Sequence, residues 1–143
     1  HFIKQTNSNK LDLIERMRSN DLKWGASAVN IFNYTFMQEY VAAILGLEVG
    51  HYYHITDNLH FYERHKDMIR NLSELREWND EGNSYIKHFK SLDDFDKLIT
   101  KLANEELAMR RNISNYNQID FDDPFFQHWY EVLFEYNKKR ISK

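Results

Sequence analysis

The chain has 143 residues, of which 42% are hydrophobic and 15% aromatic, so it can bury the core of a single domain. Its formal net charge of -3 gives no general attraction to nucleic acid or to anionic membranes, and we expect neither as a partner. The sequence contains no cysteine, which excludes a disulfide framework and a thiolate metal site.

Two short strands and a polar junction open the chain. Residues 2–3 predict a first strand, and residues 11–17 predict a second because their apolar positions alternate, interrupted by Glu15. Arg18 and Ser19 follow at the end of the second strand, a place where small-molecule sites are commonly built. A guanidinium can hold a phosphate through two parallel hydrogen bonds, and a neighbouring hydroxyl adds a third donor. The alternative is an ordinary surface arginine.

A loop and a long apolar helix come next. Asp21 is typical of a residue that caps a turn, and Gly25 allows the loop a backbone turn that a side chain resists. Residues 30–45 are apolar on almost every face, which predicts a helix inside the domain. Asn30 stands at its start, where asparagine is among the best N-caps. Gly46 is placed to end the helix in a left-handed conformation.

The segment after this helix is rich in valine, tyrosine, isoleucine and histidine. Residues 47–56 alternate loosely, which predicts a strand. His51 and His54 on that strand point to opposite faces, so no metal site is expected there. From Leu59 onward, apolar residues at steps of three and four predict a helix with a solvated charged face.

The last part of the chain predicts mainly helices. Residues 78–84 predict a loop, and residues 85–89 a short strand. Ser91 with Asp94 three residues later is similar to a capping box and begins an amphipathic helix. Pro124 is typical of the first position of another helix.

The order of these residues resembles the thymidylate synthase family, which includes the pyrimidine hydroxymethylases. Five elements carry the resemblance: R-S-x-D followed by a glycine, an asparagine that opens the apolar helix, L-E-V-G that closes it, and H-x-Y. The resemblance fades after His65. The matching positions are Arg18, Ser19, Asp21, Gly25, Asn30, residues 47–50, His60 and Tyr62.

The resemblance implies an α+β, thymidylate synthase-like fold, in which a mixed sheet packs against a long buried helix and further helices follow at the C-terminus. It implies a single domain over residues 1–143. Within that domain, residues 1–65 would form the nucleotide-binding core, and residues 66–143 a divergent, mainly helical part.

The resemblance also implies which residues bind the substrate, a pyrimidine deoxynucleotide monophosphate. Arg18 and Ser19 would bind the 5'-phosphate. Asn30 would read the uracil edge, and His60 with Tyr62 would bind the 3'-hydroxyl of the deoxyribose. The nucleotide would thus be bound at both its phosphate and its sugar.

Two of these assignments depend on details of the sequence. An amide offers donors and an acceptor to the imide edge of uracil, and in the family an aspartate at this place goes with cytosine. The loop before Asn30 has one residue more than is usual in the family. In an alignment without a gap, Val29 rather than Asn30 would therefore occupy the base-reading position. Asp21 would support catalysis and face the folate cofactor, 5,10-methylenetetrahydrofolate.

The catalytic nucleophile of the family has no counterpart in this chain. Thymidylate synthases attack carbon six of the pyrimidine with a cysteine thiolate, and no cysteine is present. The resemblance places that cysteine a few residues before His1, and the chain begins with histidine rather than methionine. We therefore expect the C-terminal part of a longer protein, inactive by itself.

The resemblance favours a methyltransferase that moves a one-carbon unit from methylenetetrahydrofolate to carbon five of dUMP. A dUMP or dCMP hydroxymethylase of the same family is one alternative, and a nucleotide-binding relic without catalysis is another. The family further implies a cytoplasmic homodimer that acts in nucleotide biosynthesis, without a metal.

Overall fold

The computed structural model describes residues 1–75 and 86–141, with only the backbone of Ile141, and the predicted loop at 78–84 lies outside these residues. The chain divides into two compact units, His1–Gly82 and Asn83–Lys143. The described elements of the first unit, in chain order, are strands β1 (Phe2–Lys4), β2 (Lys10–Met17) and β3 (Asn20–Asp21), a π-helix (Leu22–Val29), helix α1 (Asn30–Leu45), strands β4 (Glu48–Thr56) and β5 (Leu59–His60), a 3₁₀ turn (Glu63–His65) and helix α2 (Lys66–Ser73).

The first unit is built on a mixed sheet of three strands in the order β1-β2-β4. Strand β1 runs antiparallel to β2, and β2 runs parallel to β4. Leu11, Leu13 and Glu15 of the central strand are buried, because their side chains share one face of the pleat. This sheet, together with the helices, confirms the predicted α+β fold class.

The pairing of β2 with β4 contains an irregularity near its start. Leu11 lies opposite Val49, but Leu13 lies opposite Tyr52, so β4 carries one residue more than β2 between these pairs. The side chain of Asp12 fills the gap, since its Oδ1 accepts a hydrogen bond of 2.7 Å from the backbone nitrogen of His51. The arrangement is that of a β-bulge.

Helix α1 has the predicted bounds but is less buried than its composition suggests. Among its described residues Gln38 and Ala42 are buried, whereas Phe32 is 48% and Leu45 57% exposed. Gln38 donates hydrogen bonds to the backbone oxygens of Leu11 at 2.8 Å and His51 at 3.1 Å, which fastens the helix to β2 and β4. The apolar pattern shows what a helix face is able to bury, while the neighbouring strands decide how much of it is covered.

The segment before α1 is helical and not the predicted loop. The π-helix begins after Asp21, whose side chain accepts a hydrogen bond of 2.7 Å from the nitrogen of Trp24. It runs directly into α1, where Val29 has helical dihedral angles and makes no capping hydrogen bond with its side chain. Asn30 is therefore inside a continuous helix and is not its N-cap. A π-helix holds an extra residue in a helical turn.

The helix predicted from Leu59 begins later, so that prediction was wrong. Residues Leu59–His60 form β5, which pairs in parallel with β3, and α2 starts at Lys66. Strand pairing between distant segments overrides the local spacing of apolar residues. Gly46 ends α1 with φ of 66°, as predicted.

The second unit is built from helices in the residues that the structure describes. The residues 86–89 are not a strand, so that part of the prediction was wrong. Ser91 caps α3 by accepting a hydrogen bond of 3.1 Å from the nitrogen of Asp94, as predicted. The described elements are helix α3 (Leu92–Asn112), a 3₁₀ turn (Ile113–Asn115) and helix α4 (Pro124–Ile141).

The start of α4 is held by a buried carboxylate. Asp123 is 2% exposed and its Oδ1 accepts hydrogen bonds from the nitrogens of Phe125 and Phe126 at 3.0 and 3.1 Å. Its Oδ2 accepts a further bond from the nitrogen of His88. The predicted helix start at Pro124 is confirmed. None of the described helices in either unit is both long and apolar enough to cross a membrane.

Candidate functional site

The pairing of β3 with β5 brings three of the predicted site residues together. Asp21 lies opposite His60 in this two-stranded sheet. Ser19 comes directly before β3, and its Oγ lies 3.4 Å from Nδ1 of His60. Asn58 donates to the same Oγ at 3.3 Å. The hydroxyl of Ser19 and the imidazole of His60 therefore lie close together, and Asp21 stands opposite His60 in the strand pairing.

Arg18 is exposed beside this group, in the short connection between β2 and β3. It forms no ion pair or hydrogen bond with any other residue that the structure describes. Arg16, by contrast, is paired with Asp57 at 2.9 Å. Of these two neighbouring arginines, Arg18 is the one whose guanidinium is available for an anion.

The two rings of the H-x-Y element contact each other. The rings of His60 and Tyr62 have centroids 5.6 Å apart and stand at 89°, an edge-to-face arrangement. The guanidinium of Arg64 lies 5.0 Å from the centre of the Tyr62 ring. Tyr62 is 49% exposed.

Asp21 has two distinct oxygens. Oδ1 caps the π-helix, so the capping role considered from the sequence is confirmed. Oδ2 is buried and has no hydrogen-bond partner among the described residues. Burial lowers the pKa of the nearby His65, and the charges of Lys23 and Arg64 lower it further, while Asp21 opposes them. A buried acceptor without a donor is a position where a ligand N–H group can bind.

An apolar cavity of about 320 Å³ adjoins Asp21 in the first unit. Its wall contains the residue that follows Asp21 in sequence and one face of helix α2. The lining residues are Leu22, Lys23, Ser27, Met68, Ile69 and Leu72. A flat, partly apolar molecule can enter such a cavity.

Asn30 is held by two contacts of its amide nitrogen. Nδ2 donates to Oδ1 of Asn20 at 2.9 Å and to the sulfur of Met17 at 3.3 Å. Val29, the ungapped match, is instead 50% exposed. A side chain at Gly25 would meet the same pair, because a Cβ there would lie 1.7 Å from Oδ1 of Asn20 and 2.9 Å from Nδ2 of Asn30. Glycine is thus required for space and not, as predicted, for a turn.

Four residues near Asn30 were not singled out from the sequence as site residues. Asn20 is buried and its Nδ2 lies 2.6 Å from Nε2 of His54. Nδ1 of His54 lies 2.7 Å from the hydroxyl of Tyr52 and 2.9 Å from Oε2 of Glu15. The sequence contained one signal of this polar group, since Glu15 interrupts the apolar alternation of β2. The partners of Glu15 lie in another strand, which local patterns do not reveal.

No group of three or more His, Asp or Glu residues is placed to hold a metal ion in the part of the chain that the structure describes. His51 and His54 fall on the two sides of β4, His51 beside Asp12 at 3.6 Å and His54 beside Glu15 at 2.9 Å.

Comparisons with known proteins add a second line of evidence. The sequence profile of the thymidylate synthase family matches residues 1–79. A deoxyuridylate hydroxymethyltransferase of Pseudomonas phage M6 is 30% identical over 122 residues, which are 82% of this chain and 34% of that protein. A deoxyuridylate hydroxymethyltransferase of Bacillus phage SP01 is 49% identical over 55 residues, 38% of this chain and 14% of the phage protein.

The thymidylate synthase of Bacillus licheniformis is 38% identical over 105 residues, which are 69% of this chain and 37% of that enzyme. The chain therefore spans between 14% and 37% of the length of these three relatives.

Proposed function

Because the chain belongs to the thymidylate synthase family, we propose that the protein carrying it transfers a one-carbon unit from 5,10-methylenetetrahydrofolate to carbon five of dUMP. The observation that supports this most directly is the group formed by Ser19, Asp21 and His60, beside the unpaired guanidinium of Arg18. The chain contributes binding groups to the reaction. With no cysteine it has no thiolate nucleophile, and we propose that it is inactive by itself.

The nucleotide would be held at its two ends. Arg18 binds the 5'-phosphate through paired N–H donors, and the Ser19 hydroxyl adds a donor beside it. His60 and Tyr62 bind the 3'-hydroxyl of the deoxyribose. Asn30 reads the pyrimidine edge. Fixing phosphate, sugar and base together aligns carbon five for reaction, which is worth several kcal/mol of the barrier in well-oriented systems, roughly 7 to 11.

The residues around Asp21 fit a folate ring. Oδ2 of Asp21 is buried without a described partner, and the adjoining cavity is mainly apolar, with Leu22, Met68 and Ile69 in its wall. When bound, methylenetetrahydrofolate supplies the one-carbon unit. The chain's own contribution is an acceptor for ring N–H groups and an apolar wall that excludes water.

The test is a binding measurement on the intact protein with Arg18→Ala. We expect the dissociation constant for dUMP to rise about a hundredfold, since a charge-assisted bidentate contact is lost. Arg16→Ala is the matched control. It removes the same positive charge two residues away, but from a side chain that is already paired with Asp57. Equal effects of the two substitutions would contradict the phosphate assignment.

A second candidate is hydroxymethylation, in which water rather than hydride completes the transfer. The relatives of phages M6 and SP01, both named as deoxyuridylate hydroxymethyltransferases, favour it. Product analysis separates the two: dTMP supports the methyltransferase and 5-hydroxymethyl-dUMP the hydroxymethylase. Binding of dUMP with neither product would favour the relic without catalysis. We further propose a cytoplasmic homodimer, by resemblance to the family, and light scattering of the intact protein tests its oligomeric state.

A further inference from the structure

A chain of polar side chains runs through the first unit from the helix to the central strand. Asn30 Nδ2 donates to Asn20 Oδ1 at 2.9 Å, and Asn20 Nδ2 lies 2.6 Å from His54 Nε2. His54 Nδ1 lies 2.7 Å from the Tyr52 hydroxyl. Burial raises the pKa of Tyr52 to about 12, and the charge of Glu15 raises it further. The Glu15 carboxylate lies beside the same Nδ1 of His54. The chain ends at that carboxylate.

The carboxylate of Glu15 sets the direction of this chain. Its Oε2 lies 2.9 Å from His54 Nδ1, off the N–H direction, so the contact is electrostatic, and the negative charge favours the proton on that nitrogen. The imidazole therefore carries its proton on Nδ1 and donates it to the Tyr52 oxygen, and Nε2 accepts from Asn20.

The chain is shielded from water at Glu15 and Asn20, which keeps its direction fixed. Glu15 is 6% and Asn20 3% exposed. Gly25 packs so closely against Asn20 and Asn30 that even a methyl group would collide with the pair. A reversed chain would set an unprotonated Nδ1 of His54 against the Glu15 carboxylate, acceptor facing acceptor, and a buried acceptor without a donor is unfavourable.

We propose that Glu15 acts through this chain as a positioning residue that sets the orientation of the Asn30 amide, and with it the choice of pyrimidine. Both hydrogens of Asn30 Nδ2 are directed at Asn20 and at the sulfur of Met17, which leaves Oδ1 to face a ligand. That oxygen accepts from the N3–H of uracil. Cytosine carries no hydrogen on N3 and presents an acceptor there, so acceptor faces acceptor. The inference rests on the proposed function.

The experiment uses the intact protein and compares its affinities for dUMP and dCMP by calorimetric titration. Glu15→Gln keeps the shape of the side chain but lets it donate, so the chain can reverse and Asn30 can turn Nδ2 outward. We expect the preference for dUMP over dCMP to fall about tenfold or more, chiefly through tighter binding of dCMP. Tyr52→Phe, which removes the acceptor of the Nδ1 proton of His54, should reduce the preference in the same direction.

Two variants serve as controls. Glu15→Asp retains an acceptor-only carboxylate and should retain most of the preference. Glu48→Gln removes the same charge from an exposed side chain at the start of β4 and should leave the preference unchanged. A role of Glu15 in folding alone would weaken both nucleotides equally, and so would not alter their ratio.

The outcomes separate this inference from the function on which it rests. If the unsubstituted protein binds neither nucleotide, the proposed function fails and this inference fails with it. If it prefers dUMP, and Glu15→Gln and Tyr52→Phe both keep that preference, the positioning role alone is refuted.

Discussion

Replacing Gly25 with alanine tests the close approach of the π-helix to the amide pair of Asn20 and Asn30. The added Cβ would lie 1.7 Å from Oδ1 of Asn20, 2.8 Å from its Cγ and 2.9 Å from Nδ2 of Asn30. No rotation of the methyl group relieves contacts this short, so the Asn20 side chain has to move. The movement breaks its hydrogen bond with Asn30 and its contact with His54.

The cost of Gly25→Ala follows from these losses. One broken hydrogen bond costs about 1 kcal/mol, and a buried polar group left unsatisfied costs about 1 to 3 kcal/mol. Alanine is better than glycine in a helix interior by about 1 kcal/mol, which offsets part of the loss. We expect the free energy of unfolding to fall by about 1 to 3 kcal/mol.

Urea denaturation of the intact protein, followed by circular dichroism, measures this change. In an Asn20→Ala background the methyl group has room, so Gly25→Ala should there cost less than about 1 kcal/mol, a coupling that a double-mutant cycle reports. Equal costs in the two backgrounds would refute the close-packing explanation. A stabilising effect of Gly25→Ala in the unsubstituted protein would refute it as well.

Three further predictions concern other buried polar groups. Gln38→Leu should destabilise the protein by about 1 to 3 kcal/mol in the same urea assay, because two backbone oxygens lose their donor; an unchanged midpoint would contradict this. The neutral form of Tyr52 is favoured in the folded state, since its pKa is raised from 10.0 to about 12, so its contribution is complete below pH 10 and is lost as pH rises towards 12. Tyr52→Phe should therefore lose less stability than the unsubstituted protein between pH 10 and 12, and parallel alkaline unfolding curves would oppose that reasoning. Asp123→Ala should cost about 2 to 4 kcal/mol by removing three hydrogen bonds at the start of α4, whereas Asp122→Ala, an exposed neighbour, should cost less than about 1 kcal/mol.

Features set by neighbouring residues could be predicted from the sequence. The bounds of α1, the left-handed Gly46 after it, the capping of α3 by Ser91 and the start of α4 at Pro124 were all correct. Each depends on side chains within one or two helical turns, which the sequence displays directly. Strand β4 was predicted for the same reason, from its own composition.

Features that depend on distant segments could not be predicted in the same way. Strand β5 exists because Leu59 and His60 pair with β3, about forty residues earlier, and nothing in the local spacing signals that partner. The π-helix continues smoothly into α1, so the expected loop was wrong, and the alternative that Asn30 is an N-cap does not hold. The predicted site residues stay predictions, although Ser19, Asp21 and His60 do lie together.

The bulge in β4 shifts the register of the rest of the strand by one residue. Before it, Val49 stands opposite Leu11; after it, His54 stands opposite Glu15, where an uninterrupted pairing would set Tyr53. Side chains alternate between the faces of a sheet, so one inserted residue exchanges the set that turns inward for the set that turns outward. Gly50 is the residue at that step that tolerates the crowding, since a Cβ there would lie 2.2 Å from Oδ1 of Asp12. Deleting it would put the phenol of Tyr53 in the place of an imidazole, and the carboxylate of Glu15 would lose its link to the helix that carries Asn30.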